Sequence, residues 1–278
     1  MPVRVVTDST CDLPKEVIEK LGVTVVPCYI NMDNVSYEDG VNITRKEFYE
    51  RLPHCKTFPT TSAPGIDTFV QTYRRLLVEE GSEVVSIHIA NALSNVGNIA
   101  RLAAQSDEKL KVSVVDSGQI TLGVGLIVEA AAIAARAGET LKGILSLVQE
   151  KIKKVYSYAS LDTLEFLRRG GRMSHVQYHI TSLLDIKPIL TMHAGHSGME
   201  LARTRKRSWE KMMGMVKALG QLSRLEMVHT NAPDTAKSLY QAASHLFPGS
   251  ATPIFAEVSP VIGAHVGPGA VGFVCEVK

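Results

Sequence analysis

The sequence predicts an α/β fold in two domains, with a mostly parallel N-terminal sheet covered by helices on both faces and a C-terminal α+β domain. Three observations predict it. Strand and helix signals alternate from residue 3 to about residue 154, the pattern of a parallel sheet buried on both faces. From residue 155 the alternation gives way to hairpin and mixed signals. The 278 residues are 45% hydrophobic and 21% charged, enough to bury a core in one large or two medium domains. The expected division is 1–154 and 155–278, with 27–58 as a small excursion from the first domain.

Val3 to Val6 is a β-branched run that reads as a strand, ending at Thr7-Asp8-Ser9. Asp12-Leu13-Pro14 then opens a helix, with Asp12 as N-cap and Pro14 in the first turn. Val23 to Val26 is a second strand. The turn formers Asn31, Asp33, Asn34, Asp39 and Gly40 break the rhythm, and Thr44 with Glu47 forms a capping box for a short helix through about Leu52. Thr61-Ser62-Ala63-Pro64 is a helix start, followed by Phe69, Tyr73, Leu76 and Leu77 at helical spacing and closed by Gly81. Val84 to Ile89 is a strand. Asn91 to Ser94 is a loop into a helix carrying Ile99, Leu102 and Ala103. Val112 to Val115 is a strand ending in Asp116-Ser117-Gly118, and an Ala-rich helix closed by Gly138 follows.

A helix from about Thr140 to Lys154 ends this half. Residues 155–160 predict a strand and Leu161 to Arg169 a helix stopped by Gly170-Gly171. Ile186 to Met192 and Met199 to Arg203 predict a hairpin around the turn-rich His193 to Gly198. A helix at about 206–219, a strand at 225–229, a helix at 234–246 and strands near 253–258 and 270–277 complete the chain.

Charge and composition exclude several functions. Lys+Arg total 30 against Asp+Glu 28, a net of +2, which gives no electrostatic case for nucleic acid or for a polybasic membrane anchor. The opening MPVRVVTDST lacks a signal-peptide apolar region. The apolar stretch from Ile120 to Ala135 is interrupted by Glu129 and followed by Arg136, too short for a membrane span of about 20 residues. The four cysteines, Cys11, Cys28, Cys55 and Cys275, are scattered, which predicts free thiols in a reducing cytosol and a cytoplasmic protein. Cys11 is expected as a packed small side chain.

Several motifs are decoys. Gly267 to Gly272 fits a G-x-G-x-x-G string, but the chain ends at Lys278, before the helix and acidic residue a dinucleotide site needs. No phosphate loop of the G-x-x-x-x-G-K-[ST] type occurs. His175 and His179 share a helical face without the Glu or third ligand of a zinc site, and His193 and His196 sit in a turn. The Asp33 to Asp39 loop lacks the EF-hand pattern, and no nucleophile elbow accompanies the nine histidines. More pointed are two hydroxyl-bearing helix starts, Thr61-Ser62 and Ser94-Asn95, each placed after a strand of the same sheet. Helix N-termini carry free N–H groups and partial positive charge, so the two could hold a carboxylate or phosphate. Simple N-capping is the other reading of the same residues.

The string Thr7-Asp8-Ser9-Thr10-Cys11-Asp12-Leu13-Pro14 resembles the opening of the DegV family. So do Thr61-Ser62-Ala63-Pro64, Leu93-Ser94, Val115-Asp116-Ser117, Leu164 to Arg172, Ile186-Lys187-Pro188-Ile189 and Ala264 to Gly269, in family order along the whole chain. The resemblance implies two domains with a lipid site between them and a fatty-acid-binding function. It also implies, as a partner, a separate fatty acid kinase that phosphorylates the presented carboxylate, so the chain itself is no enzyme and needs no cofactor or metal. Carried over by residue, Thr61, Ser62 and Ser94 hold the carboxylate, His265 completes the network, and Arg172 supports it near the mouth. Asn95 stands where the family has Gly, and Ala63 where it has Gln; Asn95 either donates to the head group or crowds it, since Asn tolerates unusual backbone angles.

An apolar tunnel is expected along the helix from Leu122 to Ala135 and around Ile180, Leu183, Leu184 and Ile189, residues that ordinary core packing would equally explain. Arg203, Arg205, Lys206 and Arg207 form the one dense positive cluster, either a solvated helix start or a dock for an acidic partner. Two alternatives stand beside lipid binding. One is a phosphotransferase or hydrolase related in fold to the substrate domains of dihydroxyacetone kinases, with Ser94 or His265 as nucleophile. The other is a regulatory interaction module using the Arg203 to Arg207 cluster.

Overall fold

The computed structural model describes residues 2–173, 186–249 and 252–278. β1 (Val3–Asp8) ends in a single 3-10 turn over Ser9–Cys11, and Asp12 follows with a left-handed φ of 51°. α1 (Lys15–Leu21) starts after Pro14 and stops at Gly22 (φ 68°). Asp12 is therefore not the N-cap expected of it. Its carboxylate turns inward to Arg45, Thr121 and the Ser259 N–H, where three partners outweigh one cap on an exposed helix.

β2 (Thr24–Val26) is followed by the excursion, which is larger than 27–58. β3 (Tyr29–Met32), β4 (Val35–Glu38) and β5 (Thr60–Ser62) form an antiparallel sheet in the order β4-β3-β5, with α2 (Arg45–Arg51) inserted between β4 and β5. Thr44 caps α2 through the Glu47 N–H, as its sequence predicts. Thr61-Ser62 is thus strand, not a helix start. Ala63 precedes Pro64, which disfavours helical angles, and α3 (Ile66–Leu76) begins only after Gly65.

β6 (Glu83–His88), α4 (Val96–Gln105), β7 (Val112–Asp116), α5 (Leu122–Arg136) and α6 (Leu141–Lys154) complete the first half. Its sheet is all parallel in the order β2-β1-β6-β7. α3 and α4 pack together on one face, and α1, α5 and α6 on the other. α6 runs directly into β8 (Val155–Ser160), followed by α7 (Glu165–Arg169), β9 (Lys187–His193), β10 (His196–Ala202), α8 (Arg205–Ala218), β11 (Leu222–His229), α9 (Pro233–Ala242), β12 (Phe255–Glu257), α10 (Pro260–Val266) and β13 (Val271–Val277). The second sheet has the order β10-β9-β8-β13-β11-β12 and is antiparallel except for the β11–β12 pair.

Two further expectations change. α10 leaves no clear sequence signal, because its seven residues, Pro260–Val266, are too few to show a helical period before Gly267. The β9–β10 hairpin turns over Ala194 and Gly195 alone, both at positive φ (46° and 84°), so His193 and His196 pair across the ladder rather than sit in an open loop. His193 stacks on Tyr156 and bonds the Val155 carbonyl through Nδ1. Gly267 to Gly272 leads into strand β13, in agreement with the strand expected near 270–277.

The main apolar core joins β1, β6 and α5 to Val228, Ala256, Val258, Ile262 and Val274 of the C-terminal half. A second core lies between the larger sheet and α8 and α9. Among the described residues, no helix is long and apolar enough to cross a membrane, and no group of three metal-ligating side chains comes together.

Candidate functional site

A cavity of about 140 Å³ opens where the two sheets meet, bounded by the β1–α1 and β6–α4 loops, β8, β9, α10 and the excursion strand β5. Its walls are largely apolar, with Leu93, Ile120, Leu161, Leu190, Met192 and Ile262 among them. No residue of Leu122 to Ala135 borders it. α5 instead fills the main core, with Leu122, Leu126 and Ile127 fully buried there. Ile189 likewise packs under α8 and α9, and its neighbour Leu190 borders the cavity, as alternation along a strand requires. His175, His179, Ile180, Leu183 and Leu184 lie outside the described residues.

Four of the candidate side chains, Thr61, Ser94, Arg172 and His265, border this one cavity. β5 carries Thr61 opposite Ile30 of β3, and its Oγ1 lies 2.8 Å from His265 Nε2 near the end of α10. Burial first, and Arg172 second, pull the His265 pKa from 6.5 down to about 4, so the ring is neutral at pH 7. Its Nδ1 is buried without a partner among the described residues and lies against Gly170, where a Cβ would come within 2.2 Å. Among the described residues nothing accepts from an Nδ1–H there. With the proton on Nε2, the ring donates to Thr61 Oγ1 and leaves the Thr61 hydroxyl proton free.

Ser94 precedes the first turn of α4, and among the described residues its Oγ accepts only a long bond, 3.4 Å, from the Val96 N–H. Arg172 is anchored by Nη1 to the Gly170 carbonyl at 2.8 Å. Three O–H and N–H donors thus border one apolar space beside a neutral imidazole, and α4 adds the positive end of its dipole. This arrangement suits a single anionic group with an apolar remainder.

Ser62 and Asn95 do not join the cluster. Ser62 is the next residue along β5 from Thr61 and so points to the opposite face. Asn95 is exposed and accepts from Asn98 Nδ2, with φ −84° and ψ 1°, so it needs none of the unusual angles anticipated for it. The helix-start argument survives at Ser94 alone. Of the positive cluster, Arg205 is neutralised by Asp162 at 2.8 Å, while Arg203 and Arg207 are exposed.

The cavity also meets polar residues that sequence reasoning passed over, among them Thr10, Thr121, Ser157 and Thr230. Each is committed to the protein: Thr10 to Asp8, Thr121 to Asp12, Ser157 to Gln119 and Thr230 to the Ala270 N–H. Asp8, fully buried, also holds His88, which reaches Ser86 and Tyr73 in one sealed chain. Thr121, Ser157 and Thr230 find their partners on distant segments, so no spacing signal marks them.

The comparisons with known proteins agree with this architecture. Residues 2–278 match the model of a family described as uncharacterised proteins of the DegV family. A DegV domain-containing protein of Streptomyces coelicolor is 33% identical over 98% of this chain and 97% of its own. A solved structure described as showing fatty acid binding of a DegV family protein from Thermus thermophilus is 34% identical, with a TM-score of 0.89 over 100% of both chains. DegV from Bacillus subtilis, described as a fatty acid binding protein, is 30% identical with a TM-score of 0.86 over 99% of both. With sequence, fold and family model matching from end to end, this chain belongs to the DegV family.

Proposed function

We propose that this protein binds a long-chain fatty acid, with its carboxylate held by the Thr61, Ser94 and Arg172 donors beside His265 and its acyl chain in the apolar cavity. The observation that carries the reading is the polar cluster of Thr61, Ser94, Arg172 and His265 on a cavity whose walls are largely apolar. The Thermus thermophilus and Bacillus subtilis relatives, described as fatty-acid binders, support it.

The energetics suit this ligand. A buried methylene is worth about 0.8 kcal/mol, so a chain of about 16 carbons gains roughly 12 kcal/mol before ordering costs. A carboxylate taken from water needs several donors to stay charged. The cavity, about 140 Å³, is close to one that takes benzene, so a long chain enters by displacing flexible walls such as Leu93, Leu167 and Met192. The protein hides the chain and presents the acid group to a separate kinase, and does no chemistry itself. A nucleophilic Ser94 would need a base, and among the described residues its Oγ is bonded only by the Val96 N–H.

The test is mass spectrometry of lipid extracted from the purified, denatured protein. One equivalent of a long-chain fatty acid is expected. Ser94→Ala removes a hydrogen bond to the charged group and His265→Ala takes away the partner that orients the Thr61 hydroxyl; each should weaken binding by about 10-fold or more. Failure to bind any added fatty acid, or unchanged binding by both variants, overturns the reading.

A further inference from the structure

The three residues leading into α10 are held from the excursion and the β1 loop. Arg45 of α2 donates through Nη1 to the Glu257 carbonyl. Tyr49, one turn along α2, donates its hydroxyl to the Val258 carbonyl at 3.0 Å. The Ser259 N–H donates to Asp12 Oδ1 at 2.9 Å, and the same carboxylate pairs with Arg45 Nη2 at 3.0 Å and accepts from Thr121 Oγ1 at 2.6 Å. Asp12 is fully buried at its side chain, and Arg45 is its one cationic partner within ion-pair distance among the described residues. Contact is tight on α10 itself, where a Cβ on Gly263 would meet the Tyr49 hydroxyl at 2.4 Å.

This clasp has a particular place in the fold. α10 brings Val261, Ile262, His265 and Val266 to the cavity, and the excursion that carries Arg45 and Tyr49 also carries Thr61. Both members of the Thr61–His265 pair therefore hang from the same junction. A buried ion pair that loses one partner leaves an uncompensated charge, so the junction has one well-defined arrangement.

We infer that the Asp12–Arg45 pair is a positioning device: it sets Thr61 against His265 and thereby gives the site its preference for an ionised head group over an uncharged one. Arg45 acts through α10 and not on the ligand. The inference rests on the fatty-acid reading above.

The experiment compares the affinities of the delipidated full-length protein for palmitate and for methyl palmitate, which share one chain and differ in head-group charge. Wild type should prefer the acid by about 10-fold or more. Arg45→Met should bring the acid within about 2-fold of the ester while leaving ester affinity within about 2-fold of wild type. Arg45→Lys, which restores the charge without the second N–H fork, should recover part of the preference. Tyr49→Phe removes one hydrogen bond to the Val258 carbonyl and covers the case in which Arg45→Met does not fold; it should lower the preference several-fold. An unchanged acid-to-ester ratio in these variants, or equal loss of both ligands, overturns the inference. His265→Ala separates the two ideas. If it abolishes the preference while Arg45→Met and Tyr49→Phe do not, only the positioning role fails. If wild type shows no preference at all, the head-group reading fails with it.

Discussion

His265 carries its charge state as a consequence of where it is placed. Burial and the Arg172 guanidinium move its pKa from 6.5 to about 4, so the unfolded chain takes up a proton between those values and the folded protein does not. Stability contributed by the neutral ring is thus present above pH 6.5 and is lost as the pH falls to 4. The interval corresponds to on the order of 3 kcal/mol. Asp12 and Asp39 act in the opposite sense. Burial raises them to about 6 and about 7, so acidification relieves their cost. A difference measurement isolates the histidine. In urea titrations of delipidated protein, the stability margin of wild type over His265→Asn should shrink steadily from pH 7 to 4. A margin that stays flat across that range would mean the ring titrates normally.

At the scale of elements, α5 shows which force decides a packing position. Gly125 lies inside this helix, where Ala is better by up to about 1 kcal/mol. Its Cβ would sit 2.5 Å from the Cys11 carbonyl oxygen and 3.0 Å from Leu13, both in the β1–α1 loop. Overpacking against backbone costs about 1–3 kcal/mol and should win. Gly214, inside α8 with nothing within 4 Å, is the control. Denaturant melts should show Gly125→Ala destabilised and Gly214→Ala stabilised by up to about 1 kcal/mol; stabilisation at both would refute the close approach. The same elements show what could be read from the chain. β1, β6 and β7 are short runs rich in Val, α3 carries apolar residues at helical spacing, and α5 is a long Ala-rich segment, so local pattern suffices. β5 is hidden in the sequence because Thr-Ser-Ala-Pro resembles a cap, and only pairing with β3 overrides it. The α5 face looks the same in sequence whether it lines a cavity or fills a core. Ser94, Thr61 and His265 were legible through their motif strings, whereas the Gly170–His265 contact and the Asp12 clasp join segments far apart in the chain and leave no local trace.

For the whole molecule, size and packing make opposite forecasts. Chains well beyond about 150 residues commonly unfold domain by domain. Here the main core is shared, with Val228, Val258, Ile262 and Val274 packed among residues of the parallel-sheet half. Ion pairs also cross the junction, Arg224 with Glu129 and Lys151 with Glu276. Separating the halves would expose that shared apolar surface, so a single cooperative transition should prevail. Trp209 is the only tryptophan and sits on α8, over the second sheet, which makes its fluorescence a reporter of the C-terminal half. Its thermal midpoint should coincide with that of far-ultraviolet circular dichroism, which reports the whole chain. A fatty acid at 100 times its Kd should add about 2.7 kcal/mol and raise both midpoints together by about 5 °C. Two separated midpoints, or a shift confined to one probe, would show that the halves melt independently and that the ligand does not bind across their junction.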